Sequence, residues 1–396
     1  MERIKQEMKI HGKSLKIVYI LILFYSIYDI MNSTSAGNTS EDRSGGYVFL
    51  FAIVFYMCIA VISKRYISIN YLLGAMFLFD IYYLIDIWLI KRSGGWNSIV
   101  YFGLSTWWIL IVLFFENQLD KDINNLRSIQ NFVRIMFIIY SIAIIYGAFN
   151  IKNTYSVEYA RVGYIYHILA MLPMILIDRN EFLKKIFLII SIGLTIFSFK
   201  RGAIVILPVM LIFYFITENK VGEKKNNILR MIMILIAIIL AWFVIDNYSG
   251  GYLSSRFSES ELADGSGRSE IWTIALSNVG QRNLLQMIFG IKGPNEKILW
   301  TGIHNEWISY LNANGILGMI FFGIVVVCII SQMVYLLKKK SCLAPSAVAL
   351  CIYMLGVCWV SGFYHVHSTF YVMLFLGCIQ SLKKYSDEDI RKRIGE

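Results

Sequence analysis

The chain has 396 residues, of which 57% are apolar or Tyr, Trp or Cys and only 16% are charged, with a mean hydropathy of +0.61. A soluble domain of this size cannot hide so much apolar surface, so lipid is the solvent for much of it, and the long continuous apolar runs exclude a membrane β-barrel. The net charge of +11 would suit a nucleic-acid partner, but it is accounted for mainly by membrane orientation, as shown below.

In chain order the apolar runs predict an all-α, polytopic membrane protein of about twelve transmembrane helices. They lie near 15–31, 47–62, 67–90, 98–114, 132–149, 162–177, 186–199, 203–217, 231–246, 316–337, 343–363 and 369–382. The first, at Val18 to Met31, has no convincing cleavage site and reads as an uncleaved span, although "STSAG" follows it closely. The seventh, eighth, ninth and twelfth are short, so their tilt is small and flanking residues must snorkel. The whole chain, 1–396, reads as a single transmembrane domain with one large loop at 247–314. No period of 20–50 residues repeats along it.

With the N-terminus inside, 25 of the 37 Lys and Arg residues fall on inner segments and 12 on outer ones. That bias follows the positive-inside rule and places both termini in the cytoplasm. No further feature supports nucleic acid as a partner. The six cysteines show neither CxxC nor Cys/His ligand spacing, which argues against structural disulfides and a zinc site.

Between Lys185 and Glu218 run 32 residues whose only charges are Lys200 and Arg201. One helix of that length would extend roughly 48 Å against a hydrocarbon core of about 30 Å, so the chain is expected to turn at Lys200-Arg201 and cross twice. The turn falls on the outer face, where positive charge is disfavoured. Two readings stay open: a snorkelling interfacial pair, or an anion site. Arg201 opens the following helix, whose N–H groups and dipole also favour negative charge.

The outer loop contains "SEIWTIALSNV" and "HNEWISYLNA", both with helical spacing of apolar residues. Ser269, beside Arg268, is a candidate cap for the first. Its five Lys and Arg residues stand against the orientation rule, although long loops are partly exempt from it. Loops of this length in a compact protein are usually functional or disordered, and the aromatic content argues against disorder. His304 is its only histidine, followed by Asn305 and Glu306, and Gly315 and Gly318 close the segment. A lone histidine there is either a hydrogen-bonded structural residue or a chemical group.

Three stretches resemble the bacterial O-antigen ligase and polymerase superfamily. "SFKRGAIVILP" is similar to the family's outer-end arginine between two spans. "SGRSEIW" is similar to its Gly-Arg followed by a helix, and "HNEWISYLNANGILG" fits its His-Asn, nine residues, Gly, two residues, Gly pattern. "YARVGY" at Arg161 is a weaker fourth element, and the spacing of Arg256 to Gly267 a loose fifth. The likeness covers roughly residues 155 to 375.

The resemblance implies a GT-C-like membrane glycosyltransferase of the bacterial inner membrane that uses undecaprenyl-diphosphate-linked glycan as donor and acceptor. The large loop would be periplasmic, and a flippase and a chain-length regulator would be partners besides membrane lipid. It implies polymerisation of lipid-linked repeat units into O-antigen or capsule, or alternatively ligation of the glycan to lipid A core. The compact loop and the Ile/Lys/Asn-rich style favour polymerisation.

Such a reaction must stabilise a leaving diphosphate and take a proton from the acceptor hydroxyl. Arginine keeps its charge and presents a planar fork to phosphate oxygens. Arg201 and Arg268 are the leading candidates, then Arg161 and Arg256, with Lys200 beside them. His304 is the candidate base, since imidazoles exchange protons near neutrality, or it donates a hydrogen bond to the leaving phosphate. Asn305 and Glu306 complete the candidate substrate-binding set, and Glu306 is a competing base that the helix turn would point elsewhere. No Asp-x-Asp motif stands in the large outer loop, so the expected reaction needs no metal and no cofactor. Inversion at the anomeric carbon follows from the likeness alone.

A flippase or proton-coupled transporter is the non-enzymatic rival. Asp80 sits near the centre of the third span, where acids mark ion paths or pair with buried polar groups. Asp86 is expected nearer the interface, within reach of Lys91 or Arg92. No two-fold internal repeat of the kind transporters show is present. His365 and His367 could form a metal pair but lack a third ligand, and are expected to line the same cavity as the outer cations.

Overall fold

The structure, a computed structural model, describes residues 2–32, 44–62, 70–86, 96–150, 161–178, 180–222, 227–255, 257–258, 268–290, 303–360 and 366–395. Among them there is no strand. The helices are α1 (Glu2–Met31), α2 (Ser44–Ile62), α3 (Tyr71–Ile85), α4 (Trp96–Lys121) and α5 (Asn125–Phe149), then a 3₁₀ turn Val162–Tyr164 that leads into α6 (Ile165–Leu176). They continue as α7 (Glu181–Phe197), α8 (Arg201–Val221), α9 (Asn227–Tyr248), α10 (Tyr252–Ser255), α11 (Arg268–Gly280) and α12 (Leu284–Phe289). The last are α13 (Glu306–Lys338), α14 (Ala344–Val360), α15 (Val366–Leu382) and α16 (Asp387–Gly395).

Over its described residues each of the twelve apolar runs is mostly helical. By length and composition, four helices can cross a membrane: Ser14–Met31 of α1, α5, α8 and α13. The protein is therefore an all-α chain built for a lipid environment. The apolar side chains exposed along α5 and α9, such as Ile138, Ile142, Ile239 and Phe243, fit that solvent. The eighth helix runs to 21 residues, longer than its apolar run of 203–217, because it opens at Arg201 and continues through the buried Glu218 to Val221.

Asparagine sets several helix starts. Asn70, Asn180, Asn283 and Asn305 each accept a backbone N–H of the first turn of α3, α7, α12 and α13. Each such cap is worth about 0.5–2 kcal/mol. Ser269, the expected cap of α11, instead lies inside that helix, where its carbonyl accepts from Thr273 Oγ1 at 2.8 Å.

Contacts divide the chain into two compact units. The first comprises Met1–Ile67, Leu110–Ala203 and Phe370–Glu396. Its core holds the fully buried Phe114, Phe115, Phe137, Tyr140 and Phe375. Here α15 lies so close to α4 that a Cβ on Gly377 would stand 2.6 Å from Val112 O. Below that contact, Lys384 bridges Glu116 (3.0 Å) and Asp120 (2.8 Å).

The second unit comprises Ser68–Ile109 and Ile204–Thr369. Its core gathers Phe79, Trp108, Tyr310 and Phe322 from α3, α4 and α13, with Tyr310 edge-on to Phe79 at 5.5 Å. α13 is two helices in one run. Gly315 breaks it with φ 69° and ψ −167°, leaving a short first half and a second half that matches the tenth apolar run.

Candidate functional site

The first unit carries three of the expected cations. α7 ends at Phe197, and Phe199 takes a left-handed backbone (φ 55°), its N–H returning to Ile196 O at 3.1 Å. This is the reversal usually left to glycine. It turns the chain so that half-buried Lys200 precedes half-buried Arg201, the first residue of α8. The charged pair does interrupt the long apolar run with a turn. Arg161, also half-buried, donates from Nε to Ile30 O (3.3 Å) at the end of α1 and lies over the Tyr146 ring at 5.2 Å. Its neighbour Tyr164 donates to Asp29. These contacts tie Arg161 into the packing of α1 and α5.

The second unit carries the rest. Arg268, first residue of α11, donates from Nη1 to Val360 O at 2.8 Å. Asn305 caps α13 by accepting from Ile308 N–H (3.1 Å), and its Nδ2 donates to Trp359 O at 3.4 Å. The two residues thus hang on consecutive carbonyls at the end of α14. Between α11 and α13, Trp272 Nε1 donates to Ile303 O (2.7 Å), and Ile271, Ala275, Ile303 and Ile308 close a small apolar core. His304 therefore stands between two anchored residues, Ile303 and Asn305.

His304 is exposed while Ile303, Asn305 and Glu306 are buried, and its φ is 49°. Left-handed backbone is uncommon outside glycine and costs of order 1–3 kcal/mol, and such residues concentrate at functional sites. Among the described residues three non-glycines adopt it, and two, Phe199 and His304, belong to the motifs singled out in the sequence. Glu306 sits in the first turn of α13, buried where His304 is exposed, at the helix end that favours negative charge. Arg256 and His365 lie outside the described residues, and so does the side chain of His367.

The glycines of the histidine motif also gain a physical account. Gly315 makes the break in α13, and a Cβ there would stand 2.3 Å from Ile288 O. A Cβ on Gly318 would meet Asn314 Cβ at 2.3 Å and the Tyr82 ring at 3.3 Å. Asn314 Nδ2 donates to Asp86 Oδ2 at 2.8 Å, and Tyr82 donates to Asn314 O. Asp86 is fully buried and accepts from Asn314 at the break in α13, while Lys91 and Arg92, its expected partners, lie outside the described residues. Asp80 is likewise buried.

Sequence reasoning missed Arg282. It lies between α11 and α12, buried, and donates to Leu311 O, Asn312 O (3.0 Å) and Asn312 Oδ1. Those carbonyls end the first half of α13, so a cation there completes a helix C-terminus. Desolvation holds its guanidinium below the ordinary arginine pKa. The available signal was Asn283 with Gln286, whose capping box opens α12 directly after it.

Among the described residues no group of three or more His, Cys, Asp or Glu could hold a metal ion. All six cysteines are free thiols. Comparison with models of known protein families gives no match, and comparison with curated proteins gives no relative.

Proposed function

We propose that the chain is a metal-independent glycosyltransferase of the bacterial inner membrane. It polymerises undecaprenyl-diphosphate-linked repeat units into surface polysaccharide on the outer face. Twelve helices cross the membrane, both termini are cytoplasmic, and the loop at 247–314 is periplasmic. The observation that carries the reading is the placement of Arg268 and Asn305 on the consecutive carbonyls Val360 and Trp359, with exposed His304 fixed beside Asn305 in left-handed backbone.

In this reading the acceptor hydroxyl oxygen bonds to the donor's anomeric carbon as the bond from that carbon to the diphosphate oxygen breaks. His304 takes the hydroxyl proton or donates to the departing phosphate, and undecaprenyl diphosphate leaves. Arg268 carries the developing negative charge, with Arg201 assigned the same role and Arg161 a secondary one. Fixed cations aimed at developing charge are often the largest catalytic term, worth several kcal/mol.

The test uses purified full-length protein given lipid-diphosphate-linked repeat units in detergent. A ladder of longer lipid-linked chains is expected, unchanged by chelator and by added lipid A core. Product only when lipid A core is present would mean ligation. Lipid movement in vesicles without glycan lengthening would mean transport and would remove the enzymatic reading.

A further inference from the structure

Trp359, the penultimate residue of α14, has 59% of its surface exposed. A tryptophan at the end of an apolar helix is ordinarily an interfacial anchor. Its surroundings here differ. Its ring meets Trp272 edge-on, with centroids 6.5 Å apart at 72°. Trp272 belongs to α11, whose Arg268, Ser269, Glu270, Ser277 and Asn278 make it too polar a helix to lie in hydrocarbon.

The indole therefore packs on the loop side of α14, held beside Trp272 with more than half of its surface exposed. The backbone of the same residue is the anchor of Asn305, and the next carbonyl anchors Arg268. One residue thus joins an exposed aromatic surface to the candidate cation and to the segment bearing His304.

We propose that Trp359 forms a sugar subsite, its exposed ring receiving the apolar C–H face of a pyranose in the lipid-linked glycan. The inference rests on the glycosyltransferase reading. A pyranose turns weakly positive C–H edges toward one side, and an indole face carries negative quadrupole density, so the two match in sign and shape. Trp272 Nε1 donates to Ile303 O, which fixes the ring against which Trp359 packs.

Two probes separate this from the parent reading: undecaprenyl diphosphate bearing the native repeat unit, and undecaprenyl diphosphate without sugar. Binding to the purified full chain is measured by native mass spectrometry for wild type, Trp359→Ala and Trp359→Phe. Trp359→Ala should weaken the glycosylated probe about tenfold, as loss of a tryptophan hot spot does, and move the bare probe less than about twofold. Trp359→Phe should fall between, and equal thermal midpoints confirm that the variants fold. Equal binding of the glycosylated probe by wild type and Trp359→Ala overturns the subsite. Parallel loss of both probes also overturns it, in favour of an interfacial anchor. If wild type binds neither probe, the glycosyltransferase reading itself fails.

Discussion

Gly290 and Gly315 meet backbone to backbone. Both have positive φ, 79° and 69°; a Cβ on the first would stand 2.2 Å from Ala313 O and on the second 2.3 Å from Ile288 O. This contact seats α12 against the break in α13. Alanine at either position must adopt a left-handed backbone and push against main chain that has no side chain to rotate away. Gly290→Ala and Gly315→Ala should each lose about 1–3 kcal/mol, seen as a lower unfolding midpoint in detergent. Gly193→Ala, inside α7 with open space around the added methyl, should be neutral or stabilising by up to about 1 kcal/mol. Equal midpoints for all three would mean that the glycine contact does not form.

Arg282 holds the same region from the other side. Replacing it by Met keeps length and burial but leaves Leu311 O and Asn312 O without their donor. The expected cost is about 1–3 kcal/mol, and Lys, lacking the planar fork, should recover only part. Hydrogen exchange should quicken in 284–289 and 306–314 of Arg282→Met. Unchanged exchange in both segments would refute the clamp.

How much of this was legible in the sequence depends on the range of the physics involved. The helices were, because apolar runs and their polar breaks are local, and so was the turn at Lys200-Arg201, because a length mismatch with the bilayer demanded it. The helical character of 306–314 was also readable from its spacing. The pairing of Asp86 with Asn314 was not, since nothing local to either residue names a partner so far along the chain. For the same reason Arg282 looked like one more loop cation. The histidine motif was recognised as a pattern, but its parts turn out to be mechanical: a cap at Asn305, a break at Gly315 and a close approach at Gly318.

Lys384, just past the end of α15, offers a pH test. Burial lowers the pKa of Lys384, but hydrogen bonds and charge from Asp120 and Glu116 outweigh it, so the net shift is upward from 10.5. A raised lysine stabilises fully below its unfolded pKa and loses that contribution as pH rises through the folded value. Its side chain is 43% exposed, so screening limits the effect to at most about 1 kcal/mol. Lys384→Met should melt below wild type at pH 7–9, with the gap closing above about pH 10.5. A gap that widens with pH would reverse the assigned sign.

Orientation is open to direct measurement. With the loop outside, a cysteine at Gly265 in a cysteine-free background should react with an impermeant thiol reagent in intact cells, and one at Lys224 should not. The charge distribution motivates the expectation. Labelling of position 224 but not 265 would invert the topology and move the outer cations to the cytoplasm.

The left-handed backbone of His304 makes an informative mutant series possible. His304→Ala removes the imidazole and also asks alanine to hold φ 49°, so its loss of activity would mix chemistry with strain. Asn tolerates that backbone and Gly adopts it freely, so His304→Asn and His304→Gly should fold with wild-type thermal midpoints. If the imidazole takes the acceptor's proton, both should lose ladder formation by about 10²–10⁴-fold, because neither side chain is a base. If it only donates a hydrogen bond to the leaving phosphate, Asn, which keeps an N–H donor, should retain clearly more activity than Gly. Near-normal ladders from His304→Gly would show that the exposed imidazole serves neither role. The left-handed turn would then act only to place Asn305, and catalysis would have to be sought among the arginines.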